Sequence, residues 1–365
     1  MSTLVAKIGS SSVTDDAGVI DRVALTKLVD EVVEVRAAGH RAVIVTSGAV
    51  SAGVAELGLP ARPHDQPTLR ALSAAGQIRL MAVYDECLAR HGLVGAQVLL
   101  VPHDFVNRRQ YLHARETLNR LLELGCVPVV NENDAISPDE IRFGDNDRLA
   151  ALVAHLVGAN TLVLLTDTKG VFRVDPRRDP EAPLVTEVAA DDPLLDIVAG
   201  GAGSARGRGG MASKLTAARI ASWSGTEAVI AEAARPGVLA GALAGDPVGT
   251  RFHAKERRLP ARKLWIAFAS AVTGAVVVDE GAQRALTERG VSLLPAGVMT
   301  VRGEFYDGAT VNLEGPTGEV FARGMVSMDG ETLRAVARRR TPDLPPDVPH
   351  EVVHRDDLVL IPPPR

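Results

Sequence analysis

The chain has 365 residues, of which 46% are apolar and only 3% are aromatic, and its formal net charge is −5. This length exceeds that of a typical single domain, and the apolar fraction can fill a sizeable core of Ala, Val, Leu and Ile. The acidic charge excludes a general electrostatic attraction to nucleic acid or to an anionic membrane. The scarcity of aromatic residues argues against a surface on which single-stranded bases stack.

The cysteine content and the start of the chain indicate a cellular compartment. Cys87 and Cys126 are the only cysteines, and two thiols can form neither a disulfide framework nor a four-thiolate metal site, which is typical of a reducing compartment. The chain begins with a strand pattern instead of a signal peptide, and no apolar run reaches the roughly 20 residues of a membrane-spanning helix. We therefore expect a cytoplasmic protein with no membrane segment.

Up to about residue 250, short aliphatic runs alternate with longer amphipathic segments. The runs predict strands at residues 4–8, 42–46, 97–101, 127–131, 162–166 and 227–231. The amphipathic segments predict helices at residues 22–38, 68–91, 111–124, 146–157 and 212–224. This alternation predicts a wound α/β fold with a largely parallel sheet, because aliphatic strands of this kind are buried on both faces by helices.

The pattern changes after a basic stretch at residues 255–263. Short predicted strands follow, separated by Gly-rich turns, at residues 275–279, 298–301, 310–313, 320–322 and 358–361. Their spacing predicts a small β-rich barrel or sandwich. We therefore expect a first domain over residues 1–264 and a second domain over residues 274–361.

Two motifs follow the first two predicted strands. Lys7 ends the first strand and precedes Gly9 and Ser10, which could offer a cation and backbone N–H groups to a phosphate beyond the carboxyl edge of the sheet. A surface lysine that closes a strand is an equally good interpretation of Lys7 alone. The small residues 46–53 (TSGAVSAG) would let a helix N-terminus approach an anion, although tight packing of a strand against a helix needs the same residues.

Polar residues form two clusters at predicted transitions from strand to helix, residues 131–134 (NEND) and 144–147 (GDND). One Asp or Asn at each transition would be an ordinary helix cap. Seven polar residues exceed that requirement. The clusters therefore predict a site whose amide and carboxylate groups hold a small zwitterion.

Two further stretches favour a nucleotide. Thr166 and Asp167 end a predicted strand, where Asp is also common in turns. Residues 200–214 (GGAGSARGRGGMASK) lead into a helix, so their glycines could wrap phosphate oxygens while Lys214 supplies a charge. A flexible linker is the alternative interpretation of this segment. Its single RGG-like stretch is a weak indication of RNA binding.

Together these fragments resemble the glutamate 5-kinases of the amino acid kinase family with a C-terminal PUA domain, over essentially the whole chain. The matching fragments in chain order are KIGSS, TSGAVSAG, NENDAIS, RFGDNDRLAA, LLTDTKGVF, GGMASK, RPG, GTRFHAKERRLPARKLWIAF, VVVDEGAQRAL, SLLPAGV and VVHRDDLVL. The resemblance implies an amino-acid-kinase sandwich followed by a PUA domain. It also implies transfer of the ATP γ-phosphoryl group to the γ-carboxylate of L-glutamate, the first step of proline biosynthesis, with feedback inhibition by proline.

The resemblance also assigns roles to residues. Lys7 and Lys214 would flank the transferred phosphoryl group, and Asp147 would orient them. Ser47, Asp134 and Asn146 would bind glutamate. The residues implied to bind ATP are Lys7, Thr166, Asp167, Arg208, Gly209, Gly210, Met211, Ala212, Ser213 and Lys214.

The resemblance further implies that Mg²⁺ arrives with ATP and that the protein has no metal site of its own. The implied partners are a homo-oligomeric copy and a glutamyl phosphate reductase; we do not expect RNA. Two residues depart from the family pattern, because Arg208 stands where Thr is usual and Ala309 follows Gly308 where PUA domains usually have Asp.

Two alternatives remain open at this point. One is a sister activity of the same fold, such as acetylglutamate or aspartate kinase, which the two polar clusters and the second domain disfavour. The other is an RNA-binding or regulatory role of residues 274–361, against which the acidic charge and the few aromatic residues argue.

Overall fold

A computed structural model describes residues 1–15, 17–105, 107–136, 146–174, 179, 181–190, 192, 210–256, 258–270 and 272–361. The chain divides into two compact units, Met1–Ala261 and Arg262–Arg365. Arg262 forms an ion pair with Asp357, and Arg323 donates a hydrogen bond to the carbonyl oxygen of Ala267. Because these contacts tie residues 262–270 to the second unit, the division falls a few residues before the predicted boundary.

The first unit alternates strands with helices. Its helices are α1 (Ser10–Val13), α2 (Arg22–Ala37), α3 (Ala49–Glu56), α4 (Gln66–Ala89), α5 (Arg108–Glu123), α6 (Asn146–Leu156), α7 (Met211–Trp223) and α8 (Val238–Ala244), with a 3-10 helix at Pro102–Phe105. Its strands are β1 (Thr3–Ile8), β2 (Arg41–Val45), β3 (Gly95–Leu100), β4 (Val127–Glu132), β5 (Thr161–Thr166), β6 (Val171–Phe172), β7 (Leu184–Val185), β8 (Glu187–Val188), β9 (Glu227–Glu232) and β10 (Gly249–Phe252).

Eight of these strands form one sheet in the order β3-β4-β2-β1-β5-β9-β10-β8, in which β10 runs antiparallel to β9 and the other neighbours are parallel. Every residue of β4 and of β5 is buried, as expected for strands covered by helices on both faces. The predicted largely parallel α/β fold is confirmed. The parallel strands β1, β2, β4, β5 and β9 therefore bring their carboxyl ends to one edge of the sheet.

Helix α2 shows how the local sequence defines an element. The Asp21 carboxylate accepts hydrogen bonds from the backbone N–H groups of Val23 and Ala24, which caps the start of α2. Buried Leu25, Leu28, Val29, Val32 and Val35 recur at intervals of three or four residues and pack into the core on one face of the sheet. A cap and an apolar stripe thus fix both the start of the helix and the face it buries.

The second unit is rich in strands, as predicted. Helix α9 (Ala261–Leu264) and a π-helix (Trp265–Ala269) precede β11 (Val272–Val278), β12 (Val298–Gly303), β13 (Thr310–Glu314), β14 (Val320–Val326) and β15 (Val353–Leu360), with helices α10 (Glu280–Arg289) and α11 (Gly330–Val336) and 3-10 helices at Pro295–Gly297 and Thr341–Asp343. The five strands form a sheet in the order β12-β11-β13-β14-β15. Within the ranges described above, no helix is both long and apolar enough to cross a membrane.

Candidate active site

Three charged side chains meet at the carboxyl edge of the large sheet. The Nζ atom of Lys7 lies 2.6 Å from Oδ1 of Asp147, and Nζ of Lys214 lies 3.0 Å from Oδ2 of the same carboxylate. Ser213 donates a hydrogen bond of 3.2 Å to that second oxygen. The structure therefore brings together the two predicted phosphoryl-binding lysines and the predicted orienting aspartate.

The secondary structure places each of these groups. Lys7 lies near the end of β1, paired in register with Val45 of β2 and Leu164 of β5. Asp147 lies in the first turn of α6, where the partial positive charge of a helix N-terminus stabilises a carboxylate. Lys214 lies in the first turn of α7. A strand end and two helix starts thus converge on one carboxylate.

Burial makes this cluster a strong electrostatic feature. Asp147 has no exposed surface, and Lys7 and Lys214 are only 4% and 5% exposed. Burial opposes ionisation of Asp147, but the charges and hydrogen bonds of Lys7 and Lys214 outweigh it and hold the pKa of this carboxyl below its ordinary value. Two ammonium groups against one carboxylate leave these three residues with one net positive charge, so the cluster can hold a further anion.

The side chain of Asn146, next to Asp147, links three neighbouring segments. Its Nδ2 donates to the carbonyl oxygen of Thr46 at 2.7 Å, to Oγ of Ser47 at 2.9 Å and to Oδ1 of Asn131 at 2.8 Å. Ser47 follows β2 and precedes Gly48. Gly48 is the N-cap residue of α3 and has a φ of 102°. Two predicted glutamate-binding residues, Ser47 and Asn146, are therefore in direct contact.

A polar network that the sequence reasoning missed, buried except at Gln97, supports this pair. Nδ2 of Asn131 donates to Gln77 at 2.8 Å, and Nε2 of Gln77 donates to Gln97 at 3.0 Å. The hydroxyl of buried Tyr84 donates to Thr46 at 2.8 Å. Asn131 stood in the polar cluster at residues 131–134, whereas Gln77, Gln97 and Tyr84 carried no local signal because only the tertiary fold brings them here.

Asp134 lies two residues beyond β4, and its hydrogen-bond partner comes from helix α4. Its carboxylate accepts a hydrogen bond of 2.7 Å from Ser73 of α4. Burial raises the pKa of Asp134 above its ordinary value, although Ser73 and the charge of Arg62 act in the opposite direction. A partly buried carboxylate of this kind is suited to a cationic partner, which would restore its preference for the ionised form.

The predicted nucleotide-binding residues lie at the carboxyl end of β5 and at the start of α7. Thr166 donates a hydrogen bond of 3.1 Å to Asp167, and both residues line a cavity of about 470 Å³ beside the end of β1. Gly210 precedes α7, and Met211, Ala212 and Ser213 form its first turn together with Lys214. Arg208 and Gly209 of this loop, and Gly144 and Asp145 of the second polar cluster, lie outside the described residues.

In the described part of the chain, no three His, Cys, Asp or Glu side chains form a group that could hold a metal ion. Asp147 is engaged by two lysines. Asp147 therefore lies as a carboxylate between two cations.

Comparison with known proteins agrees with the fold. Residues 2–232 match the amino acid kinase family, and residues 274–345 match the PUA domain. The chain is 44% identical over 362 residues to a glutamate 5-kinase of Azoarcus sp. (strain BH72), which covers 98% of this chain and 97% of that protein. It is 43% identical over 362 residues, with the same coverage, to a glutamate 5-kinase of Burkholderia multivorans (strain ATCC 17616 / 249). The resemblance seen in the sequence is confirmed, and the chain belongs to the amino acid kinase family as a kinase with a C-terminal PUA domain.

Proposed function

We propose that this kinase transfers the γ-phosphoryl group of ATP to the γ-carboxylate of L-glutamate. An oxygen of the carboxylate attacks the γ-phosphorus, the bond from that phosphorus to the β,γ-bridging oxygen breaks, and ADP leaves with the bonding electrons. The products are L-glutamyl 5-phosphate and ADP. A carboxylate is already ionised at neutral pH, so the reaction needs no general base.

The observation that carries this proposal is the buried cluster of Lys7, Asp147 and Lys214. Phosphoryl transfer depends mainly on positioning and on neutralising the charge of the transferred group and its neighbouring oxygens. Two ammonium groups held 2.6 and 3.0 Å from opposite oxygens of one carboxylate form a rigid pair of cations. Lys7 and Lys214 thus act on the phosphoryl group, while Asp147 is a positioning residue.

The polar groups around Asn146 support an amino acid as the acceptor. Ser47 and Asn146 offer a hydroxyl and an amide, and Asp134 offers a carboxylate for an α-ammonium group. The hydrogen bonds that Nδ2 of Asn146 donates to Thr46 and Asn131 fix the orientation of the Asn146 amide. The names of the relatives from Azoarcus and Burkholderia identify glutamate as the amino acid to test first.

For the nucleotide we propose Thr166, Asp167 and the loop that ends at Lys214, including Arg208, Gly209, Gly210, Met211, Ala212 and Ser213. Mg²⁺ would be held by the ATP phosphates with its waters and few protein carboxylates, as is usual for this ion. Thr166 and Asp167, which line the cavity beside β1, offer a hydroxyl and one carboxylate that fit such an ion. When bound, the ion would neutralise phosphate charge.

We further propose that proline inhibits the enzyme by competing for the glutamate site. In this proposal the enzyme is a cytoplasmic homo-oligomer that performs the first step of proline biosynthesis. Its product is a labile acyl phosphate, so a glutamyl phosphate reductase is the partner that we propose for it. RNA is not part of this proposal.

An acyl phosphate trap tests the reaction. Purified full-length protein is incubated with MgATP, hydroxylamine and one amino acid at a time: L-glutamate, L-aspartate or N-acetyl-L-glutamate. We expect hydroxamate to form with L-glutamate, in proportion to ADP. Hydroxamate formation with aspartate or acetylglutamate but not with glutamate would overturn the proposal and favour a sister activity.

A further inference from the structure

A second cavity lies at the end of α6 that is opposite to the active site. It has a volume of about 270 Å³, and its lining includes Tyr111, Arg115, His155 and Arg258. Asp147 and His155 are eight residues apart on one helix, which corresponds to a rise of about 12 Å. This cavity is therefore separate from the cluster that surrounds Asp147.

Two guanidinium groups give the cavity its charge. Arg115 and Arg258 both line it, and in the described residues neither side chain forms an ion pair with a carboxylate. Arg258 lies across Gly225, where a Cβ atom would come within 2.5 Å of its Cγ and Nε atoms. Gly225 also has a φ of 76°, so the turn and the arginine stem fit together only with glycine at this position.

Tyr111 and His155 of the lining are also hydrogen-bond donors at neutral pH. The rings of Tyr111 and His155 lie with their centroids 6.5 Å apart. Burial, together with the charges of Arg115 and Arg258, lowers the pKa of His155 to about 4, and burial raises the pKa of Tyr111. His155 is therefore neutral and Tyr111 protonated at pH 7, so each carries a donor and neither adds charge.

We propose that this cavity binds the phosphate group of a small phosphate compound, either inorganic phosphate or a small phosphate monoester. A guanidinium group presents parallel N–H donors that match the oxygens of a phosphate, and two of them can neutralise its two charges. The volume exceeds that of several water molecules, at roughly 30 Å³ each, so it also has room for the carbon portion of a small ester.

The test uses the His155 imidazole of the full-length protein as a local probe. Its NMR signal is assigned by comparison with His155→Gln, and inorganic phosphate or glycerol 3-phosphate is added at constant ionic strength at pH 7. We expect a saturable shift of this signal and a higher His155 pKa in the bound state, because the anion offsets the two arginine charges. The tighter of the two ligands identifies the source of the phosphate group.

Arginine variants connect the signal to the proposed contacts. Arg115→Ala and Arg258→Ala should each weaken binding roughly tenfold or more, as loss of a charge-assisted hydrogen bond predicts. Arg120→Ala is the matched control on the same helix, since Arg120 is paired with Glu123 outside the cavity lining, and it should leave binding unchanged. Arg115 is exposed, so its variant tests the proposal even if Arg258→Ala does not fold.

Three results would overturn the proposal. One is the absence of any saturable shift of the His155 signal with either compound, including the case in which a second copy of the chain covers the cavity. Another is an equal shift with chloride, which would indicate screening by salt. The last is binding that is unchanged in both Arg115→Ala and Arg258→Ala.

Discussion

Replacing Asp147 with Asn tests the buried charge cluster, because it keeps the shape of the side chain and removes its charge. In the native protein the carboxylate faces Lys7 at 2.6 Å and Lys214 at 3.0 Å, and all three side chains are buried. In the variant an amide N–H₂ replaces one of the two oxygens, so it faces an ammonium group. Lys7 and Lys214 then both lose the negative charge of this carboxylate.

The structure gives the size of the effect and a matched control. Removing one partner of a buried ion pair lowers stability by about 3–5 kcal/mol, whereas an exposed pair contributes about 0–1 kcal/mol. Arg120 and Glu123 form an exposed pair at 3.0 Å, the same distance as between Lys214 and Asp147. Asp147→Asn should therefore lower the free energy of unfolding by about 3 kcal/mol or more, and Glu123→Gln by less than about 1 kcal/mol.

Urea unfolding of the full chain measures both variants. The chain has two tryptophans, and in a Trp265→Phe background the fluorescence reports on Trp223, which ends α7, the helix that carries Lys214. Lys7 and Lys214 lower the Asp147 pKa against the opposing effect of burial, so this carboxylate stabilises the native state at pH values above its ordinary pKa of 3.8. This stabilisation is lost as the pH falls through the lower pKa of the folded state. The difference in unfolding free energy between the native protein and Asp147→Asn should therefore shrink on acidification. Equal losses of unfolding free energy in Asp147→Asn and Glu123→Gln at pH 7 would contradict this prediction.

Three further predictions concern the substrate site and the second cavity. Asn146→Ala removes three hydrogen bonds. Steady-state kinetics should therefore show a KM for glutamate raised about 10- to 100-fold, with little change in the KM for ATP. An equal rise in both constants would contradict the assignment of Asn146 to the glutamate site. Gln77→Met removes one hydrogen bond from buried Asn131 and one from exposed Gln97. It should lower the free energy of unfolding by about 1–3 kcal/mol, with a larger rise in the KM for glutamate than in the KM for ATP. Unchanged stability would show that the network contributes little. His155 has a folded pKa of about 4, against 6.5 in its ordinary state, so the unfolded chain binds the proton first as the pH falls. The free energy of unfolding should therefore decrease by about 3 kcal/mol between pH 7 and pH 4. Urea titrations of His155→Gln should lack this decrease, and its persistence in that variant would contradict the prediction.

Local sequence patterns predicted the main elements because each carries its own signal. The aliphatic runs match β1 to β5 and β9, and the amphipathic segment at residues 22–38 matches α2. Short elements were missed for the opposite reason. Strands β6, β7 and β8 have two residues each, and α10 buries a single residue, Leu286, so none shows a period long enough to recognise.

The site was only partly predictable for a related reason. The rule that ligands bind beyond the carboxyl ends of parallel strands placed Lys7 and the polar cluster at 131–134 on one edge. It could not show that Lys7 and Lys214, which are far apart in the sequence, both contact the carboxylate of Asp147. The family resemblance supplied that grouping. The Gln77 and Tyr84 contacts depend on how α4 packs against the sheet, which no local pattern encodes.

Isotope transfer from the acceptor shows directly which oxygen receives the phosphoryl group. L-glutamate carrying ¹⁸O in both γ-carboxylate oxygens is incubated with the enzyme and MgATP in ordinary water, and the released phosphate is analysed by ³¹P NMR. Cyclisation of glutamyl 5-phosphate expels phosphate by breaking the bond between carbon and the bridging oxygen, so each phosphate should carry one ¹⁸O atom. Unlabelled phosphate, or label that appears only from glutamate labelled in its α-carboxylate, would contradict transfer to the γ-carboxylate.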